Sequence, residues 1–314
     1  MRNTFANTLY EYAKDDPRII TVAADISPAG SMAKLRNDKP EQFINVGVAE
    51  QSMIGICAGL ALKGCRPFAY TIATFALYRP FEMVRVDLCY QNLPVTIIGM
   101  GCGLVYSGLG GTHHAQEDIA IAGALPNMTI ISPCDPLETA EATKYCAVES
   151  MSPVYLRIGK AGEPKITENA VDPFKVGKIR YIQKGDDICI ISYGLMVQKA
   201  LNITKKLEQQ GMSVSVVSNH TLKPIDREGI SGVLNSHNTV IVMEEHVPSG
   251  SLSSQVKNIA WDIQADTTLL TFTLQDDFIH YYGSHDALLA KHGISEECIL
   301  NKIINNEQVS VRAI

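Results

Sequence analysis

The chain has 314 residues, 46% of them apolar and 19% charged, enough for about two domains that each bury a core. A formal net charge of -6 and a pI near 5.8, without any Lys/Arg-rich run, argue against a polyanion-binding surface, so no nucleic-acid partner is expected. No stretch of 18 apolar residues occurs, and the opening MRNTFANTLYEYAKDDPR alternates apolar and charged residues, so the expectation is a cytoplasmic protein with no membrane partner.

Short β-branched runs predict strands at 18–25, 67–72, 94–101, 128–133 and 154–158, with helix-like segments between them. That alternation is the βαβ rhythm of a parallel sheet covered by helices on both faces. GKAGEPKITENAVDPFKVGK then turns polar and carries Gly and Pro without a period, which predicts a linker over 161–178 between domains at 1–160 and 179–314. The second domain repeats the pattern, with strands in DICIISY, SVSVVSN, TVIVMEE and LLTFTL and helices over 196–210 and 251–261. The predicted fold class is therefore α/β, two domains, each a mainly parallel sheet with helices on both faces. Eight cysteines form no CxxC pair and lie mostly in apolar runs, which reads as reduced, buried small hydrophobes rather than disulfides or metal ligands.

Three segments carry chemistry. In NVGVAEQSMIGICAGLALKG (45–64) a strand-like FINVG meets a helix starting near Ala49, whose Gly55, Ala58, Gly59 and Ala61 form a face that another helix can approach closely or that simply packs in the core. Glu50 stands in the first turn, where the helix dipole favours a carboxylate, so a capping role would also account for it. The segment Ala73–Tyr90, ATFALYRPFEMVRVDLCY, spaces Phe75, Tyr78 and Phe81 by three, along one side of a predicted helix. The third, GMGCGLVYSGLGGTHHAQED (99–118), is a glycine-rich loop after a strand that ends in His113 and His114. It matches neither a dinucleotide fingerprint nor a P-loop, and HxxE followed by Asp118 lacks the second His of an inverted zinc motif, so no metal site is predicted here. Such glycines imply positive φ or close approach to a ligand, and ligands of parallel sheets gather at the carboxyl ends of strands. An imidazole there can take or give a proton near neutral pH.

Taken in order, NVGVAEQSMIGICAGLALKG, TFALYRPFEMVR, GGTHH and ALPNMTIISPCDPLE resemble the pyrimidine-binding domain of the transketolase family. TLKPID, VIVMEEHVPSGSLSSQV and HYYGSHDALLAKHGIS resemble that family's C-terminal domain, so the likeness covers nearly the whole chain. The GDG and distal Asn of the family's N-terminal diphosphate-binding domain do not occur in these residues, and the chain thus resembles the C-terminal subunit of a split, two-gene transketolase. The resemblance implies transfer of a two-carbon ketol unit from a ketose, phosphorylated or otherwise anionic, to an aldose, with thiamine diphosphate supplying the carbanion chemistry. It implies that Glu50 bonds the cofactor's pyrimidine nitrogen, that Asp25, Phe75, Tyr78 and Phe81 line the cofactor, and that His113 faces the substrate with His114 beside it. Arg157, with Lys160 close by, falls where the family keeps an Arg for a sugar phosphate. Leu109 replaces a family Asp and Gly101 a family His that face the sugar, which points to a different donor.

Two kinds of association are implied as well. Mg²⁺ and the diphosphate would be held by an N-terminal diphosphate-binding partner subunit, while this chain self-associates as a dimer within an α2β2 heterotetramer, the helix at 51–62 lying in the interface. Competing readings are the β subunit of a 2-oxoacid dehydrogenase decarboxylating component, a 1-deoxyxylulose-5-phosphate synthase-like fragment, and an inactive regulatory or interaction paralogue.

Overall fold

The structure, a computed structural model, describes residues 1–25 and 32–306. Twelve strands among them are β1 (Ile19–Ala23), β2 (Phe43–Asn45), β3 (Arg66–Ile72), β4 (Thr96–Met100), β5 (Thr129–Ile131), β6 (Val154–Ile158), β7 (Arg180–Gln183), β8 (Ile188–Ser192), β9 (Val214–Ser218), β10 (Thr221–Lys223), β11 (Thr239–Met243) and β12 (Thr268–Phe272). They build a seven-stranded sheet in the order β10-β5-β6-β4-β3-β1-β2 and a five-stranded sheet in the order β12-β11-β8-β9-β7. Every pairing among these strands is parallel except β10 with β5 and β7 with β9. The α/β class and the two mainly parallel sheets expected from the sequence are present.

The strands read as continuous apolar runs because both faces are covered. In β4, Ile97 enters one core while Ile98 and Met100 enter another, and in β8, Cys189 and Ile191 face away from Ile188 and Ile190. The cluster holding Ile97 also holds Cys189, Ile191, Val217 and Leu252, so one core runs unbroken from the first sheet into the second. All eight cysteines are free thiols, six of them buried. No helix among the described residues is long and apolar enough to cross a membrane.

Two local expectations need correction. Residues 73–90 do not form one helix: Ala73–Leu77 is helical, a turn follows, Phe81–Met83 resumes, and Val84–Tyr90 is a wide π-turn helix. Pro80 has no N–H to give to a helix ladder, and it disfavours helical backbone at Arg79 before it. The short strands β7 and β10 were also not predicted. β10 comes from the second half of the chain yet pairs with β5 in the first sheet, where Lys223 Nζ reaches the carbonyls of Gly123 and Leu125 at 2.7 and 2.5 Å.

A buried ion pair fixes the same junction. The alternation of β6 puts Tyr155 and Arg157 on the face opposite Val154, Leu156 and Ile158, and both side chains meet Asp118. Tyr155 Oη and Arg157 Nε each donate to Asp118 Oδ2 at 2.8 Å, and Arg157 Nη2 reaches the carbonyls of Ala115 and Glu245 at 3.3 Å. Gly99, opposite Arg157 on β4, leaves the room that Tyr155 fills: a Cβ there would lie 2.4 Å from its hydroxyl. Removing one member of such a pair strands a buried charge. Asp118→Ala is therefore expected to lower unfolding free energy by about 3–5 kcal/mol, read from denaturant titration; a loss below about 1 kcal/mol would show that the pair is not what joins these elements.

Candidate active site

Parallel sheets bind ligands at the carboxyl ends of their strands, where the strand order reverses. Here the chain runs outward from β1 to β2 on one side and to β3 and β4 on the other, so the reversal lies between β1 and β3. Asp25 stands at the end of β1, exposed and with φ at 52°, a conformation L-residues seldom adopt outside functional or turn positions. After β2, Gly47 at φ 72° turns the chain, and Glu50 opens the helix Glu50–Leu62.

Glu50 is only 5% exposed. A carboxylate so withdrawn from water needs a compensating partner, and Arg79 supplies one, placing Nη1 at 3.1 and 3.2 Å from the two carboxylate oxygens. The same guanidinium lies 4.6 Å from the Phe75 ring centre, over its face. Phe75 in turn meets the His113 ring edge-on with centroids 5.2 Å apart, and Tyr106 meets His113 at 6.1 Å. Lys160 Nζ stands 5.5 Å from the Tyr106 ring centre. Glu50, Arg79, Phe75, His113, Tyr106 and Lys160 thus form one unbroken line of contacts fed by β2, β3, β4 and β6.

Two bonds steady the middle of that line. Thr112 Oγ1 lies 2.9 Å from His113 Nδ1 and fixes the ring, and Thr74 Oγ1 donates to the Thr112 carbonyl at 3.1 Å. Burial lowers the His113 pKa below the ordinary imidazole value, so the ring is neutral at pH 7 and able to accept a proton. His114 points inward: it is 3% exposed, and burial lowers its pKa as well.

The structure separates some residues that the resemblance grouped. Tyr78 turns its hydroxyl to Glu117 Oε2 at 3.0 Å, and Tyr78 and Phe81 both pack against the core while Phe75 alone faces His113 and Arg79. Arg157 is 2% exposed and bound to Asp118, so it is neither a solvated salt bridge nor turned to the line of contacts; Lys160, exposed after β6, is the cation that reaches it. Arg79 went unnoticed in the sequence, because its pairing with Glu50 spans 29 residues and no local spacing announces it. Among the described residues no group of three or more His, Cys, Asp or Glu is placed to hold a metal ion.

The residues present fit the pyrimidine end of a thiamine cofactor: a nearly buried carboxylate for a ring nitrogen beside an aromatic face. Comparison with known proteins agrees. Residues 1–163 match the family model of the transketolase pyrimidine binding domain, and residues 177–299 match that of the transketolase C-terminal domain. One of the two subunits of an apulose-4-phosphate transketolase from Phocaeicola vulgatus is 33% identical over 298 residues, covering 95% of this chain and 94% of that one. A putative transketolase C-terminal section of Methanocaldococcus jannaschii is 34% identical over 305 residues, covering 97% and 95%. A solved structure described as a split gene transketolase, inactive beta4 tetramer, superposes with a TM-score of 0.88 at 32% identity over 99% of both chains. From the ordered site at the strand ends, both domain matches and these full-length likenesses, the chain belongs to the transketolase family, in its split-gene form.

Proposed function

We propose that this chain is the pyrimidine-holding subunit of a two-chain, thiamine-diphosphate-dependent transketolase, a transferase that moves a two-carbon ketol unit from a ketose to an aldose. The observation that carries this reading is Glu50, a carboxylate held at 5% exposure at a helix start and joined through Arg79 and Phe75 to a neutral His113. When bound, thiamine diphosphate supplies the carbanion chemistry. Glu50 holds a proton at a carboxylate oxygen for the pyrimidine nitrogen, in a site dry enough for the proton to be shared rather than lost to water. Phe75 gives the heterocycle an apolar wall, and Asp25 stands at the same strand edge.

His113 faces the substrate side. Its ring, oriented by Thr112, takes and returns a proton at a sugar hydroxyl, with His114 behind it as support. An exposed Lys160 at the other end of the line, together with a relative named for a sugar phosphate, supports an anionic ketose. We assign the sugar-phosphate contact to Lys160 in place of Arg157.

Mg²⁺ and the diphosphate belong, in this reading, to an N-terminal diphosphate-binding partner subunit, since Mg²⁺ sites are built from carboxylates and phosphate oxygens in octahedral array. Self-association uses the outer face of Glu50–Leu62, where Ile56 and Leu62 are 36% and 62% exposed, Gly59 is exposed between them and Val48 precedes the helix at 66%. A two-fold dimer through that face with two partner chains is the simplest closed α2β2 assembly.

Reconstituted with its partner and given a ketose and an aldose, Glu50→Gln is expected to lose at least about two orders of magnitude in turnover, the scale of a general acid–base group. Wild-type turnover in that variant would end the assignment. His113→Ala should cut kcat while thiamine diphosphate affinity, followed by calorimetry, stays within a few-fold; lost cofactor binding with intact chemistry would remove it from the substrate side. Because the His113 pKa is lowered, its proton-accepting form is lost only as pH falls through that lowered value. The acid limb of kcat/KM should accordingly lie below the ordinary imidazole pKa of about 6.5 in the wild type and vanish in His113→Ala.

A further inference from the structure

We propose that Glu245 and His285, both in the second domain, are positioning residues of the active site: together they hold the glycine loop that presents Thr112 and His113. The loop begins where Gly103 O accepts from Ala115 N at 2.9 Å, an isolated antiparallel bridge that ties its two ends together. Whatever fixes Gly103 and Leu104 therefore fixes the end that carries His113. Glu245 does this from across the domain junction. Its Oε1 accepts from Leu104 N at 2.6 Å and from His285 Nε2 at 2.6 Å, and it is 2% exposed. Gly103 adopts φ +57°, and a Cβ there would lie 2.4 Å from Glu245 Cδ, so the backbone runs directly against the carboxylate.

The far end of the loop is seated on the same domain. A Cβ on Gly110 would lie 2.9 Å from the Tyr282 ring, and one on Gly111 would lie 3.6 Å from the Ile279 carbonyl. Glycine spacing in this loop thus records contact with the second domain at Gly103 and Gly110. The groups facing the pair are Arg157, Cys102 and His114 on the first-domain side, and Lys199, Asp286 and His292 on the second. Glu245 raises the His285 pKa above its ordinary value, and His285 with Arg157 and the Leu104 amide keeps the Glu245 carboxyl below the usual carboxylate range despite burial. The ion pair is consequently complete below the raised His285 pKa and is lost as pH rises through it.

The part of this inference that concerns turnover rests on the proposed transketolase reading, so the test has two arms. In the first, amide hydrogen exchange of the chain itself follows residues 102–115, in the wild type, His285→Asn and Glu245→Gln, as protection factors against pH. The His285 side chain is 26% exposed, so His285→Asn alters the edge of the cluster and keeps the fold if Glu245→Gln does not. The expected result is protection of Leu104 and its neighbours that declines as pH rises through the His285 pKa in the wild type, and that is low and flat over the same range in His285→Asn. In the second arm, the reconstituted enzyme carrying His285→Asn should lose about 10- to 100-fold in kcat/KM for the ketose, the scale of a catalytic group misplaced by about 1 Å, with thiamine diphosphate affinity unchanged. Wild-type protection in the variants overturns the proposal, as does lowered protection with wild-type kcat/KM. Should the wild-type pair of subunits transfer no ketol unit at all, the functional reading fails, and the exchange arm still decides whether the pair holds the loop.

Discussion

A guanidinium that is almost wholly out of water stays charged only where an anion and further acceptors surround it, and Arg157 meets that requirement by gathering three separate parts of the chain. Asp118 begins the helix after the His113 loop, Ala115 closes the loop itself, and Glu245 ends the central strand region of the second domain. The substrate-facing loop is thus set by a charge buried between domains rather than by its own sequence. Such a pair contributes little net stability over an apolar replacement, but it admits one arrangement of the elements around it. The continuous core running between the two sheets supplies the apolar driving force that holds this arrangement together.

Glu50 depends on that frame indirectly. Its carboxylate is withdrawn from water at one end of a contact line whose other members ride on strands β3, β4 and β6, the strands whose neighbours the junction fixes. Thr74 ties the β3 segment to the β4 loop through the Thr112 carbonyl, so the acid and the imidazole cannot shift independently. A site built on strand ends and locked by neighbouring elements is the arrangement that keeps reacting groups within the small tolerances catalysis needs.

Much of this was legible in the sequence because it is local. Runs such as VYLRI and DICIIS announce doubly covered strands through their apolar character alone, and VYLRI maps onto β6 residue for residue. The order of NVGVAEQ, the aromatic run and GGTHH was enough to bring Glu50, Phe75 and His113 to one strand edge. What stayed hidden is non-local. Thr221–Lys223 is too short and polar to read as a strand until β5 pairs with it across the junction, and Arg79 has no signal except its partner 29 residues earlier. Two misreadings had usable signals: Arg79–Pro80 marks a helix boundary inside 73–90, and the alternation of β6 already placed Arg157 on the inner face with Tyr155.

In the proposed reading these residues complete only one half of a cofactor site. Stacking and a hydrogen bond at the pyrimidine, each worth roughly 1 kcal/mol, hold a ligand no better than about millimolar. Calorimetric titration of the chain with thiamine diphosphate and Mg²⁺, alone and then with the diphosphate-binding partner, measures this directly. The expected result is binding too weak to follow and no ketol transfer for the chain alone, with both appearing once the partner is added. Micromolar binding, or ketol transfer without the partner, would contradict it.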